Sequence, residues 1–345
     1  MRMIIWGAAL LGLLASGQAN AQSANVDQII ERFENANQWR DHVMVVAHRA
    51  GWKQNGQIRR AENSIAALNH SIASGIEMVE VDVQKTKDGE LVVLHDSWLD
   101  RTTSCKGRLV ERDLAGLASC RLVIEGTGKT TAESVPTLRM MLQAAKGRIM
   151  VNIDNKLGID ALPEIAALAR ELGVERQIVL KQNLWSAEKA SEMSDVMVEI
   201  GEGIHFMPII ADDAVTDIGF LENVGKSFSA NAVELINWRK DGEGMTAPGG
   251  QFFNARARAI AARGEWHLWV NTFSIVNMRG GMLSGGRGDE LAVLASVPEE
   301  SWGFWAEQGV TMIQTDEPEA AINWLSANGY RVPYEVAPMD TANIN

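Results

Sequence analysis

The chain has 345 residues, 46% of them apolar, with charge dispersed throughout; α/β barrels use this length as a single domain. Its formal net charge is −12 and no basic stripe is present, which makes nucleic acid a poor candidate partner, and none is expected. The acidic balance also disfavours tight binding to anionic membranes, but a local cation site can still take an anionic substrate.

The opening residues read as an export signal. Arg2 gives a short basic start, Ile4 to Ala15 is almost wholly apolar, and Ala19-Asn20-Ala21 puts small residues where a signal peptidase cuts. Cleavage is expected after Ala21, leaving a periplasmic or secreted protein. The alternative, a membrane anchor, needs a longer apolar run. No other stretch reaches spanning length, so no stable membrane insertion is expected. Export also gives the two cysteines a meaning. Cys105 and Cys120, fifteen positions apart, are expected to pair, with a stabilisation of roughly 3 kcal/mol for such a loop. The alternative is two buried thiols without a role; metal binding would need a His or a third Cys at ligand spacing.

An amphipathic lead-in, Val26 to Trp39, comes first. Val43–Ala47 then reads as a strand, Glu62–Ser74 as a helix and Ile76–Val83 as a second strand. Lys87-Asp88-Gly89 turns the chain into Leu91–Leu94, an Asp-Gly hairpin signal. Beyond it, strands are expected at Arg148–Ile153, Gln177–Leu180, Ile204–Ile210, Ala232–Ile236, His267–Asn271 and Thr311–Gln314. Helices are expected at Thr137–Ala145, Ile159–Leu172, Ala187–Met193, Ala214–Val224, Phe252–Ala262, Leu291–Gln308 and Glu319–Ala327. Eight strands in βα alternation predict a closed parallel barrel, a single-domain (β/α)8 TIM barrel over residues 43–328. Residues 22–42 form a lead-in helix and 329–345 a tail. The runner-up, an open doubly wound sheet, lacks its G-x-G-x-x-G turn. Gly-rich stretches at Asp241–Gly250 and Arg279–Asp289 read as rim loops.

Barrel chemistry is placed at the carboxyl ends of strands. His48 and Arg49 follow the first strand. Glu80 and Asp82, two apart inside an apolar strand, share one face; Asp154 ends the next strand, with Lys156 just beyond. A solvated face is the ordinary reading of an isolated acidic pair, but Met78, Val79, Val81 and Val83 argue against a wet strand. Three hard oxygen donors suit one Mg²⁺ or Ca²⁺ ion. His48 and His95, each at a strand end, match a reaction that removes one proton and supplies another, although a lone His is usually structural. Arg49 offers a planar fork and Lys156 a point charge for phosphate oxygens. Trp269 and Asn271 share the strand that ends at the expected mouth. Trp185, Trp238, Trp302 and Trp305 read as packing residues, and no role is assigned to His42, His70, His205 or His267.

The joint order of these residues carries more than any one of them. Ala47-His48-Arg49-Ala50-Gly51, Glu62-Asn63-Ser64, Glu80-Val81-Asp82-Val83, Leu94-His95-Asp96 and Asp100-Arg101-Thr102-Thr103 resemble the glycerophosphodiester phosphodiesterase family. The likeness continues through Asn152-Ile153-Asp154-Asn155-Lys156, Trp269-Val270-Asn271 and Thr315-Asp316-Glu317-Pro318. It implies a TIM barrel, His48 and His95 as acid and base, Glu80, Asp82 and Asp154 as metal ligands, and Arg49 and Lys156 at the phosphate. Glu62 would orient the first His-Arg pair. The implied substrate is a small phosphodiester, lipid-derived ones included, hydrolysed to a phosphomonoester and an alcohol. A lysophospholipase D-like or cyclising reaction on a lipid or sugar phosphodiester, and a barrel that binds phosphate ligands without turnover, stay open as alternatives. The chain departs from the family pattern at Ala50 and Ala61, in the lengthened loop Trp52–Arg60 (with Trp52, Arg59 and Arg60 as candidate contributors to substrate choice), and at Asp154, where Glu is common.

Overall fold

The computed structural model describes residues 25–274 and 281–335. The export signal to Ala21, Arg279 and the end of the tail lie outside them. Eight strands form the barrel: β1 (Met44–Ala47), β2 (Met78–Lys85), β3 (Met150–Asn155), β4 (Ile178–Asn183), β5 (His205–Ala211), β6 (Ala232–Ile236), β7 (His267–Asn271) and β8 (Met312–Thr315). Each is parallel to its neighbours, and β1 closes the ring by pairing with both β8 and β2. The expected (β/α)8 TIM barrel is therefore present.

Alternation along these strands sorts the side chains. Val45, Ala47, Val79, Val81, Val151 and Ile153 point outward into one large core beneath the helices. Met44, Val46, Met78, Met150, Val179, Met207, Trp269 and Met312 point inward and form a separate apolar floor. One or two pleats higher, the inward positions become polar, with Glu80 and Asp82 on β2, Asp154 on β3, Lys181 on β4 and Glu234 on β6. Register places Asp82 beside Asp154. The expected face-sharing of Glu80 and Asp82 is thus a barrel-interior face, buried rather than wet.

The lead-in forms helix α1 (Val26–Glu34), opened by a capping box between Asn25 and Gln28. Its Val26, Ile29, Ile30 and Phe33 seal the floor from below. Around the barrel stand α2 (Ile65–Ala73), α3 (Leu138–Ala145), α4 (Leu162–Leu172), α5 (Ala187–Ile200), α6 (Ile218–Phe228), α7 (Ala255–Gly264), α8 (Trp302–Glu307) and α9 (Pro318–Ala327). α2 begins later than expected because Ser64 caps it and Asn63 adopts a positive φ of 57°; this frees Glu62 and Asn63 for the site. The expected helix Leu291–Gln308 is broken into a π turn, a 3₁₀ turn and α8, since Pro298 disfavours helix at the residue before it.

The Asp-Gly hairpin lays Leu91–Val93 antiparallel on β2. Beyond it a small lobe packs Leu94, Leu99, Leu109, Leu117 and Leu122 together, and within it Cys105 and Cys120 are joined.

Candidate active site

The carboxyl ends of the strands surround a cavity of about 340 Å³ whose lining includes His48, Glu80, Asp82, His95, Asp154 and Lys156. The two histidines, the three acids and Lys156 expected from the sequence therefore meet at one place. Arg49 is not among the lining residues and is buried behind them, next to Asp82; Asn271 lines the cavity, and Trp269 lies in the floor, its indole N–H donating to Asn271 at 2.7 Å.

Carboxylate oxygens of Glu80, Asp82 and Asp154 all lie within 4.8 Å of one another. Burial and the adjoining Asp82 push the Glu80 carboxyl up to about 8. Burial opposes ionisation of Asp82 too, but Lys156, His95 and Arg49 hold it well below the usual carboxylate range. Asp154 is likewise lowered, with Lys181 and Lys156 overcoming its burial. Lys156 bridges two of the acids, 3.0 Å from Asp82 and 2.7 Å from Asp154. Among the described residues, Glu80 Oε1 is buried with no hydrogen-bond partner. Three hard oxygen donors within reach of one another, one of them buried without a hydrogen-bond partner, fit a divalent cation.

His48 is buried under Phe273, their rings stacked 3.9 Å apart. Its Nδ1 donates to Asp316 Oδ1 at 2.8 Å, and its Nε2 stands 4.0 Å from Glu80. Burial lowers its pKa, against the pull of Asp316, so the ring is neutral with a lone pair on Nε2 facing the acids. Burial disfavours the Asp316 charge, yet His48 and Lys53 keep that carboxyl far below its usual range. His95, also on the cavity, is about one-third exposed, and its Nδ1 meets Asp96 at 2.7 Å. Arg101 grips Asp96 and Glu62, and Glu62 in turn holds Arg49 at 2.8 Å. One guanidinium thus ties together the supports of His95 and Arg49. Arg49 takes φ 47°, a left-handed turn that sends its side chain back toward Asp82, with Nε 3.9 Å from the carboxylate.

Sequence reasoning missed several members. Asp316 was visible only as part of a motif, and its role depends on a contact spanning 268 positions. Lys181 and Glu234, 3.4 Å apart and buried, sit at inward strand positions that alternation could have flagged. Two aromatic expectations fail. Trp238 lines the cavity, and Trp185 is half exposed; both follow the carboxyl ends of strands, at the rim of the barrel. Trp302 and Trp305 are buried as expected.

Fold and site together define a TIM barrel whose mouth is built from clustered acids, cations and imidazoles. A sequence model of the glycerophosphoryl diester phosphodiesterase family matches residues 48–200, and one for a domain of unknown function matches residues 206–325. Over residues 48–200 the chain is similar to the glycerophosphoryl diester phosphodiesterase family. A glycerophosphodiester phosphodiesterase from Caldanaerobacter subterraneus subsp. tengcongensis is 31% identical over 158 residues, 44% of this chain and 63% of that relative. Another from Bacillus altitudinis is 35% identical over 129 residues, 37% of this chain and 51% of the relative. The match thus spans less than two thirds of either relative. A glycerophosphoryl diester phosphodiesterase structure from Parabacteroides distasonis aligns with 94% of this chain and 97% of its own at a TM-score of 0.61 and 17% identity, a likeness of fold.

Proposed function

We propose that the protein is a divalent-metal-dependent phosphoric diester hydrolase, exported to the periplasm or medium, that converts glycerophosphodiesters to a phosphomonoester and an alcohol. One observation carries this reading: three carboxylates converge in a cavity also lined by two imidazoles, each imidazole backed by its own aspartate. The names of the matched relatives supply the substrate class.

Glu80, Asp82 and Asp154 would hold the ion, Mg²⁺ or Ca²⁺, which when bound neutralises phosphoryl charge and acidifies an attacking water. His48 Nε2 takes the proton of the nucleophile, while Asp316 stabilises the imidazolium that forms. His95 donates a proton to the departing alkoxide as the ester P–O bond breaks, and Asp96 holds its ring. Arg49 and Lys156 bring positive charge to the non-bridging oxygens. The small-molecule diester needs neither nucleic acid nor a membrane anchor.

The test is hydrolysis of a panel of glycerophosphodiesters, lysophospholipids and bis-p-nitrophenyl phosphate with EDTA, then with Mg²⁺ or Ca²⁺. Glycerophosphodiester turnover is expected to vanish in chelator and return with one of the ions. Undiminished turnover in EDTA would remove the metal from the proposal, and turnover of lysophospholipids alone would replace the substrate class.

A further inference from the structure

The lengthened loop after β1 folds as a hairpin, Lys53–Gln54 against Gln57–Ile58, and docks on the segment that follows β8. Trp52 Nε1 donates to Asp316 Oδ1 at 2.7 Å and Lys53 Nζ donates to Asp316 Oδ2 at 2.7 Å. Farther along, Gly56 N donates to Glu317 at 2.7 Å and Gln54 to Glu319 at 2.6 Å. From behind, Asp289 Oδ2 accepts from Thr315 Oγ1 and from the Asp316 backbone N–H, both at 2.8 Å. Asp316 is only 2% exposed. Each of its oxygens is therefore anchored by the hairpin, and one of them also accepts from His48 Nδ1.

A buried carboxylate held by a single neutral donor is free to turn and carries an uncompensated charge. Here Lys53 supplies the charge, and Trp52 and Lys53 together fix the carboxylate plane. Lys53 is not among the residues lining the catalytic cavity, so it reaches the reaction only through Asp316. We propose that Lys53, assisted by Trp52, is a positioning residue for His48: it locks the Asp316 carboxylate in the orientation that accepts from Nδ1 and keeps Nε2 facing the acidic triad. The proposal rests on the reading of His48 as the proton acceptor.

Steady-state kinetics of Lys53→Met, Lys53→Arg and Trp52→Phe would test it, together with NMR of the His48 ring protons. For Lys53→Met, kcat is expected to fall about 10- to 100-fold, the cost of a misdirected catalytic group, while KM stays within about twofold. Lys53→Arg should recover most of the loss. The hydrogen-bonded His48 Nδ1–H signal should be sharp in the wild type and in Lys53→Arg, and weakened in Lys53→Met. Wild-type kcat in Lys53→Met, a rise in KM without loss of kcat, or an unchanged Nδ1–H signal would overturn the proposal. Should Lys53→Met not fold, Trp52→Phe, which removes one donor and keeps the ring volume, carries the same expectations at smaller size. Because the NMR signal needs no substrate, it separates failure of this inference from failure of the proposed activity.

Discussion

His48 and His95 sit on the same cavity in unlike surroundings. His48 is enclosed, stacked on Phe273 and backed by a carboxylate with three side-chain donors. His95 is partly open to solvent, and its Asp96 is shared with Arg101. Removing His95 should therefore harm chemistry more than folding. His95→Ala is expected to lose about 10²-fold or more in kcat with its thermal midpoint within a few degrees of wild type, and near wild-type turnover with metal present would dismiss His95 as the acid. At this scale the sequence spoke clearly wherever a polar residue broke an apolar strand, as with Glu80, Asp82 and Asp154. It showed Asp316 only within a motif and gave no role to Lys181, since the meaning of both depends on partners brought in by barrel closure.

Among the elements that never reach the site, α1 closes the barrel floor. Its Phe33 is 1% exposed, stacks on His267 and closes the methionine-rich floor. Phe33→Ala is expected to cost about 3–5 kcal/mol, read as a shift of the urea midpoint; a cost below about 1 kcal/mol would mean the floor repacks without it. The amphipathic pattern of this helix was legible beforehand. Its mate was not, because the apolar face is satisfied by inward residues of strands scattered from β1 to β8. Helix limits were displaced for local reasons of the same kind: Ser64, Asp217 and Asn254 cap helices a few residues past the apolar pattern, and Pro298 splits a run that periodicity joined.

For the whole molecule, strand count and alternation were enough to predict closure, since each strand carries one buried face outward and eight of them complete a ring. The polar network under the floor could not be foreseen. There Glu77, fully buried, accepts from His42, Arg331, Tyr334 and the Val45 amide. Burial works against its charge, but Arg331 and His42 hold the carboxyl at about 2, below an ordinary 4.5. Burial keeps His42 itself neutral, donating from Nε2 to Glu77 and accepting at Nδ1 from the Val332 amide. A carboxyl lowered on folding stabilises fully above its unfolded value, and that contribution drains away as acid approaches the folded value. Stability is therefore expected to decline between about pH 4.5 and pH 2, and Glu77→Gln should be weaker at neutral pH and flatter across that window. An equally steep acid decline in Glu77→Gln would assign it to other carboxylates.

The network has a further consequence for handling the molecule. Arg32 on α1 bonds the carbonyls of Val332 and Pro333, and Gln28 bonds that of Glu335, so both flanks of the barrel meet on the underside, away from the mouth. Tethering the protein to a bead or a carrier through either flank would leave the opening pointing into solution.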